Sequence, residues 1–464
     1  MFIGRERELA ALNKLYASDK FEFVVIYGRR RVGKTALISQ FIDDKNAIYF
    51  MGVESNAKQN LENFSKSILS YHTGMEAETS FLSFQAALEY VFKLAEKERI
   101  ILAIDEYPYV ARSSKSLAST IQLLIDQYKD TSKLMLILCG SSMSYMEDHV
   151  LAYKAPLYGR RTAQMKILPF DFEETCRYFQ NFTAEEKAYV YGIVGGTPQY
   201  LLQMSDKLSI EDNIKNTFLN PNSALFEEPE NLLKQEVREP ALYNAIITAI
   251  ATGASRMSEI SGKVGENTNI CSAYVKNLIS LGIIEKETPY GEKASRKAIY
   301  SIADNMFRFW YRFVPQNITA IVSGRIERTY EKSVKSQLSD YMGLVFEKMC
   351  QAYLLRYAEN LPFELSRIGQ WWGSDPATRK QVQIDIVGAD SEEKAFIIGS
   401  CKFKNEKIGI DEYERLKHDA AVFGKRGTYH YYIFSKGGFT DGLIEKAKED
   451  DVRLVTLDEM YENR

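Results

Sequence analysis

The chain has 464 residues, 26% of them charged and 45% hydrophobic, and a formal net charge of −3. That length fits about three domains at roughly 100–200 residues each, and the balance is that of globular protein. A near-neutral total argues neither for nor against a nucleic-acid partner, because a basic face can hide in a neutral sum. Cys139, Cys176, Cys271, Cys350 and Cys401 are scattered, odd in number and free of any C-x-x-C pair, which argues against a disulfide framework or zinc knuckle. His72, His149, His418 and His430 form no H-x-x-x-H arrangement, which argues against a zinc hydrolase. The N-terminus has no apolar core of signal-peptide type, and runs such as FVVIY and LMLIL are too short to span a bilayer. These features predict a soluble, reducing, cytoplasmic protein without membrane contact.

The first third alternates short apolar runs with helical spacing. Residues 23–27, 47–50, 100–104 and 134–138 read as strands, apolar throughout, as strands covered on both faces are. Helical patterns lie between them, including 35–42 and 84–96. This alternation predicts a parallel α/β sheet. From residue 169 to about 207 the pattern is helical, at 171–179, 184–191 and 198–204. The stretch PNSALFEEPEN, with two prolines, reads as a loop. Helical segments at 240–252, 257–264 and 269–281 follow, then a β-like pair at 283–288 and 298–302 joined by a Gly- and Lys-rich turn. Three helices with a two-stranded wing describe a winged helix-turn-helix. The last third opens with helices at 307–313 and 341–357. It continues with strands at 383–387, 395–401 and 428–434, a helix near 442–449 and a strand at 452–456, a second α/β domain. The expected domains are a nucleotide-binding core at 1–168, a helical lid and linker at 169–230, the winged helix at 231–304 and the C-terminal domain at 305–464.

The segment FVVIYGRRRVGKTALISQF reads strand, glycine-rich loop, helix, and matches G-x-x-x-x-G-K-[ST] at Gly28, Gly33, Lys34 and Thr35. Glycines let backbone wrap closely around a β-phosphate, with N–H groups aimed inward at a helix N-terminus. The residues expected around ATP are Gly28, Arg29, Arg30, Arg31, Val32, Gly33, Lys34, Thr35 and Ala36. Lys34 supplies a cation to the β- and γ-phosphates, and Thr35 a hydroxyl to Mg²⁺. In IILAIDEYPYV, Asp105 ends an apolar strand and is expected to hold Mg²⁺, while Glu106 orients or deprotonates the attacking water. The strand in LMLILCGSS ends at Ser141 and Ser142. Ser141 either senses the γ-phosphate or belongs to a cap for a helix beginning near Met143. Arg160 and Arg161, in PLYGRR, either stabilise transition-state charge, in cis or from a neighbouring subunit, or are solvated surface residues.

Taken in order, FIGRERELAAL, YGRRRVGKT, IDEYPYV, CGSS, APLYGRR and VGGTPQYL resemble the prokaryotic "archaeal ATPase" family, a STAND/AAA-like group of P-loop ATPases. The resemblance implies that Ile3, Gly4, Arg5 and the Gly-Gly-x-Pro turn (Gly195, Gly196, Pro198) approach the adenine side of the nucleotide. By themselves the residues of that turn show only a tight bend before a helix.

The end of the chain resembles the partner domain of unknown function often fused to these ATPases, on ADNMFRFWYRFV, GLVFEKM, IGQWWG, QIDIVGAD and IIGSCKFKNE. That domain is similar to the PD-(D/E)XK nuclease fold. In such a site carboxylates hold Mg²⁺ and a lysine helps activate water. Glu347 matches the helix acid, Asp385 the strand aspartate and Lys402 the lysine, but Ser400 stands where the E-x-K glutamate belongs. A hydroxyl replaces a carboxylate poorly on Mg²⁺, so a degenerate site used for binding is expected, with Glu406 as the nearby acid able to reach in.

The expected fold class is α/β multidomain: a P-loop NTPase parallel sheet with a helical lid, a winged helix-turn-helix and a C-terminal α/β restriction-endonuclease-like domain. The expected function is an ATP-hydrolysing, Mg²⁺-dependent molecular switch that repositions the last two, with an unidentified protein partner. DNA contact through Lys276 and the wing residues Lys293, Arg296 and Lys297 stands against a packing or lid role. The competing functions are an ATP-regulated DNA nuclease and a non-catalytic nucleic-acid-binding regulator.

Overall fold

Apolar runs too short to span anything become strands covered on both faces. In the computed structural model, which describes residues 2–73, 79–292 and 297–462, three such runs and two less covered strands form one parallel sheet. They are β1 (Glu22–Tyr27), β2 (Ala47–Met51), β3 (Ile100–Asp105), β4 (Leu134–Gly140) and β5 (Ala163–Lys166), in the order β2-β3-β4-β1-β5. Every residue of β1, β3 and β4 is buried. Along β1, Phe23, Val25 and Tyr27 enter one apolar cluster and Val24 and Ile26 another, the period-two alternation of a strand sandwiched between helix layers. Each such aliphatic or aromatic side chain contributes about 1.5–3 kcal/mol by leaving water.

The expected strands near 23, 47, 100 and 134 are all present, but β5 is not among them. AQMK alternates half-buried and exposed residues at the sheet edge, which is no pattern of a doubly covered strand. Thr162 starts its pairing, donating its backbone N–H to the Phe23 carbonyl at 2.8 Å and accepting from Phe23 N–H through Oγ1 at 3.0 Å. The helix Phe84–Leu94 begins where Ser83 accepts from the Ala86 N–H, and buries Phe84, Ala87, Leu88, Val91 and Phe92.

By contact the described residues form two units. One runs through Pro169 and includes Thr197–Gln199; the other comprises Phe170–Gly196 and the chain from Tyr200 onward. In the second unit, Thr183 and Glu186 form a capping box for the helix Ala184–Val194. The stretch read as a loop from its two prolines is partly helical: Glu228–Glu236 starts inside it, with Pro229 in the first turn, where a missing N–H costs nothing. Helices Pro240–Ala251, Met257–Val264 and Thr268–Ser280 follow, the last capped by Asn267. Next come the antiparallel β6 (Ile284–Glu287) and β7 (Ile299–Ile302). Of the charges expected on the turn between them, Lys297 pairs with Glu292 at 3.0 Å, while Lys293 and Arg296 lie outside the described residues.

The chain then forms helices Asn305–Phe313 and Ser336–Arg356 before a second sheet. Its strands are β8 (Arg367–Ser374), β9 (Gln381–Ala389), β10 (Ala395–Lys402), β11 (Thr428–Ser435) and β12 (Val452–Thr456), in the order β12-β11-β10-β9-β8. β8 to β10 pair antiparallel and β10 to β12 parallel. The helix Ile410–Phe423 links β10 to β11. β8 is a strand the sequence did not predict: RIGQWWGS carries two glycines, and its register shifts between Gly369 and Trp371. Among the described residues no helix is long and apolar enough to cross a membrane.

Candidate functional site

Parallel strands end on one edge, and β4 lies between β1 and β3. The chain segments leaving all three therefore meet at the carboxyl edge of the sheet. After β1 the loop turns tightly. A Cβ on Gly28 would sit 2.4 Å from the Ile167 carbonyl oxygen, so only glycine fits there. Arg31 and Gly33 have φ of 73° and 90°, and the helix Lys34–Ile42 begins on Gly33. Its first-turn N–H groups and dipole make a ready anion site. Lys34 is 5% exposed and donates to the Arg29 carbonyl at 3.0 Å, across the loop. Arg30 donates to the Tyr109 hydroxyl at 2.8 Å.

Asp105 is fully buried at the end of β3. Its Oδ2 accepts from the Thr35 hydroxyl at 2.7 Å and from the Tyr49 hydroxyl at 2.9 Å, and its Oδ1 from the Glu106 N–H at 2.9 Å. Burial, then the charge of Asp105, raises the Tyr49 pKa, so that phenol stays protonated and donating. Glu106 has φ 48°, a left-handed conformation that turns its side chain toward β4. There its Oε2 accepts from Ser141 Oγ at 2.9 Å. Ser141 is thus a partner of Glu106, while Ser142 accepts from Arg112 at 3.2 Å.

The N-terminal segment and the 197–199 turn also reach the loop. Arg5, buried and with φ 68°, donates to the Val32 carbonyl at 3.0 Å and the Leu168 carbonyl at 2.6 Å, beside Gly4 at φ 73°. Arg29 donates to Thr197 Oγ1 at 2.7 Å, and Pro198 lies in ordinary contact range of a side chain at Gly33. Ile3 is half-buried. Among the described residues Arg160 makes no contact with the loop, whereas the charge of Arg161 is felt by Tyr27, the residue before Gly28. They precede β5, whose first pair is Ala163 with Val24 rather than Tyr27. Arg160 instead forms a two-pronged pair with Asp126 at 2.9 and 2.7 Å, and Arg161 stacks over Tyr158 at 5.4 Å.

The second unit holds a separate polar cluster. Glu347 on Ser336–Arg356 accepts from Gln370 at 2.5 Å. Asp385 accepts from the Cys401 N–H at 2.9 Å, and Lys402 lies 3.5 Å from it. Lys402 donates to Ser400 Oγ at 2.9 Å. The acid that reaches Ser400 is Glu412, from the helix Ile410–Phe423: it accepts from Ser400 Oγ at 2.5 Å and pairs with Lys402 at 3.2 Å. Glu406, the nearby acid with the reach to substitute, is exposed in the preceding turn. Burial raises the Glu412 pKa, but Lys402, Ser400 and Arg415 more than offset it, and the net direction is down. Gln370 and Glu412 are the members sequence reasoning missed. The available signal for Glu412 was an acidic first turn on the helix directly after β10.

Burial, then the charge of Asp385, raises Glu347 to about 7 from an ordinary 4.5. A carboxyl raised in the folded state costs stability. The cost is absent below the ordinary value, grows as pH rises toward 7 and is complete above it. Glu347→Gln is therefore expected to raise the melting temperature at about pH 8 and to change it little at about pH 4.5. Equal shifts at both values, by calorimetry, would assign the effect to packing rather than charge.

An ATPase domain predominantly from Archaea matches residues 2–204, and a domain described as archaeal and bacterial proteins of unknown function matches residues 310–415. An uncharacterized protein of Methanocaldococcus jannaschii is 33% identical over 446 residues, covering 92% of this chain and 96% of that one. A stretch of 45 residues, 10% of this chain, is 44% identical to an uncharacterized ATP-binding protein of the same organism, of which it covers 76%. Among solved structures, the Walker-type ATPase of Pyrococcus abyssi aligns with a TM-score of 0.52 at 20% identity, covering 67% of this chain and 96% of that chain, a likeness of fold. A phosphate loop, an acidic strand end beside it and a relative matched over nearly its full length lead to one conclusion: the chain belongs to the family whose ATPase domain is found predominantly in Archaea.

Proposed function

We propose that the chain is an ATP-driven switch, in which Mg²⁺-dependent hydrolysis in the first unit sets the state of the wing-bearing and C-terminal parts of the second. The observation that carries this reading is the Thr197–Gln199 segment. It packs with the first unit, with Thr197 on Arg29 and Pro198 by Gly33, while the chain on both sides of it belongs to the second. A phosphate that draws on Arg29 or the Gly33 backbone draws on a segment tethered at both ends.

Thr35 and Asp105 would hold Mg²⁺. Both offer hard oxygen donors, and these converge to 2.7 Å. When bound, the metal neutralises charge on the β- and γ-phosphates. Lys34 binds phosphate oxygens, and Glu106, oriented by Ser141, accepts the proton of the attacking water. The test is hydrogen exchange over Ala184–Val194 with ADP and with a non-hydrolysable ATP analogue. The switch requires a nucleotide-dependent difference that Thr197→Val reduces, with ATP affinity measured alongside to separate lost coupling from lost binding. Identical exchange in both nucleotide states would sink it.

For the C-terminal cluster, the missing carboxylate at Ser400 supports salt-sensitive, sequence-indifferent binding of a nucleic-acid backbone, aided by Lys402 and the exposed Lys404. A helix-turn-helix reading of the segment before β6, with Lys276 exposed on Thr268–Ser280, supports the same partner. One observation favours the competing nuclease: Glu412 brings a carboxylate to Ser400 Oγ at 2.5 Å and to Lys402 at 3.2 Å. Plasmid nicking by the full chain in Mg²⁺, with and without ATP, decides between them. The binding reading expects no cutting above background. Mg²⁺-dependent cutting, abolished in both Asp385→Ala and Glu412→Gln, would make the chain an ATP-regulated nuclease.

A further inference from the structure

The FRFWYRF motif is not used by either cluster. Its helix, Asn305–Phe313, buries Met306, Phe307, Phe309, Trp310, Tyr311 and Phe313. Arg308 and Arg312, one turn apart, are left as a cationic stripe on the remaining face. Both line a cavity of about 790 Å³ bordered by this helix, the end of Pro240–Ala251, β7 and Ser336–Arg356. That is within the roughly 300–1,000 Å³ of small-molecule sites.

Arg308 has little to satisfy its charge. It donates one long hydrogen bond, 3.4 Å, to the Tyr341 carbonyl and lies 5.0 Å over the Tyr341 ring. Among the described residues no carboxylate comes within ion-pair distance of it. Glu347 and Glu285 act on it from farther away, and they are engaged by Gln370 and Lys348. Burial pushes its pKa below the ordinary arginine value, and Arg312 adds to the push. Arg312 donates to Gln337 at 3.0 Å, and its acid, Asp340, is 3.7 Å away and 85% exposed. Like charges at this spacing repel, and a desolvated charge is costly until an anion joins it.

We propose that this cavity binds a phosphorylated small molecule, with Arg308 and Arg312 gripping its phosphate. The planar guanidinium fork matches phosphate oxygens and supplies two donors at once. The same cavity is also lined by Tyr300, Ser301, Ile250 and Leu344, which offer a ring, a hydroxyl and apolar surface to the organic part. The proposal does not depend on the switch described above.

The test uses the full chain carrying Lys34→Ala, which removes the phosphate loop's own pull on the probes. Calorimetric titration with AMP, and separately with inorganic phosphate, is expected to show saturable binding and a raised melting temperature. Arg312→Gln, at a partly exposed position, is expected to weaken AMP binding at least about tenfold without lowering the melting temperature of the free protein. Arg308→Lys keeps the charge, loses the fork and is expected to weaken binding similarly. Absence of saturable binding by either probe, or unchanged affinity in both variants, overturns the proposal. Binding of a DNA duplex that Arg312→Gln abolishes, with no binding of AMP, overturns it in favour of a polymer backbone.

Discussion

Lys34→Ala is expected to weaken ATP binding about 10- to 100-fold, the usual range for removing a hydrogen-bonded charge from an ionic ligand. Lys34 is 5% exposed and stands on the first turn of its helix, where N–H groups and dipole already favour an anion. Its ammonium donates to the Arg29 carbonyl across the loop and makes no ion pair among the described residues. The loop conformation rests on other contacts: the glycine at position 28 under the Ile167 carbonyl, and Arg5 on the Val32 carbonyl. The alanine variant should therefore fold, with an unchanged melting temperature in the absence of nucleotide and a much smaller rise when ATP is added. Calorimetric titration reads the affinity directly. An unchanged dissociation constant would remove Lys34 from the nucleotide site.

How much of this was legible in the sequence depends on whether a feature is local. Gly28, Gly33, Lys34 and Thr35 sit within eight consecutive positions of one loop, so spacing alone exposes them. β1, β3 and β4 are buried on both faces and write that fact as unbroken apolar runs. What brings Thr35 to Asp105 and Ser141 to Glu106 is strand order, which no local pattern records. Glu412 is the sharper case. It stands twelve residues beyond Ser400 on another element, and only the packing of its helix on β9 and β10 carries its carboxylate to the Ser400 hydroxyl. Arg160 is the reverse case, where the motif left a phosphate role and a surface role both open. Within the chain, the register of β5 beside β1 leaves its guanidinium with Asp126. The proline-marked loop at PNSALFEEPEN shows a third limit, because proline in a first helical turn and proline in a loop read alike.

Glu106→Gln separates binding from chemistry. Glu106 leads into the helix Tyr107–Ser113 with φ 48° and ψ 41°, a strained conformation that persists because its surroundings hold it. A Cβ on Gly52 would come within 2.9 Å of the Glu106 carbonyl oxygen, so the backbone there has little room to relax. Glutamine keeps the length of the side chain and an oxygen to accept from Ser141 Oγ, now 2.9 Å away. It also leaves Asp105 and Thr35, the proposed Mg²⁺ donors, untouched. What it removes is the ability to take a proton from water. ATP affinity should stay within a few-fold of the unmodified chain, while turnover should fall by about 10²-fold or more, the range expected for loss of a general base. Ser141→Ala adds a graded control: Glu106 keeps its charge but loses its Oγ partner, so turnover should fall by less than in the glutamine variant. Steady-state phosphate release and nucleotide titration on the same preparations make the comparison. Wild-type turnover in Glu106→Gln would place the base on another residue, and a parallel loss of ATP binding would mean that Glu106 shapes the nucleotide site rather than the reaction.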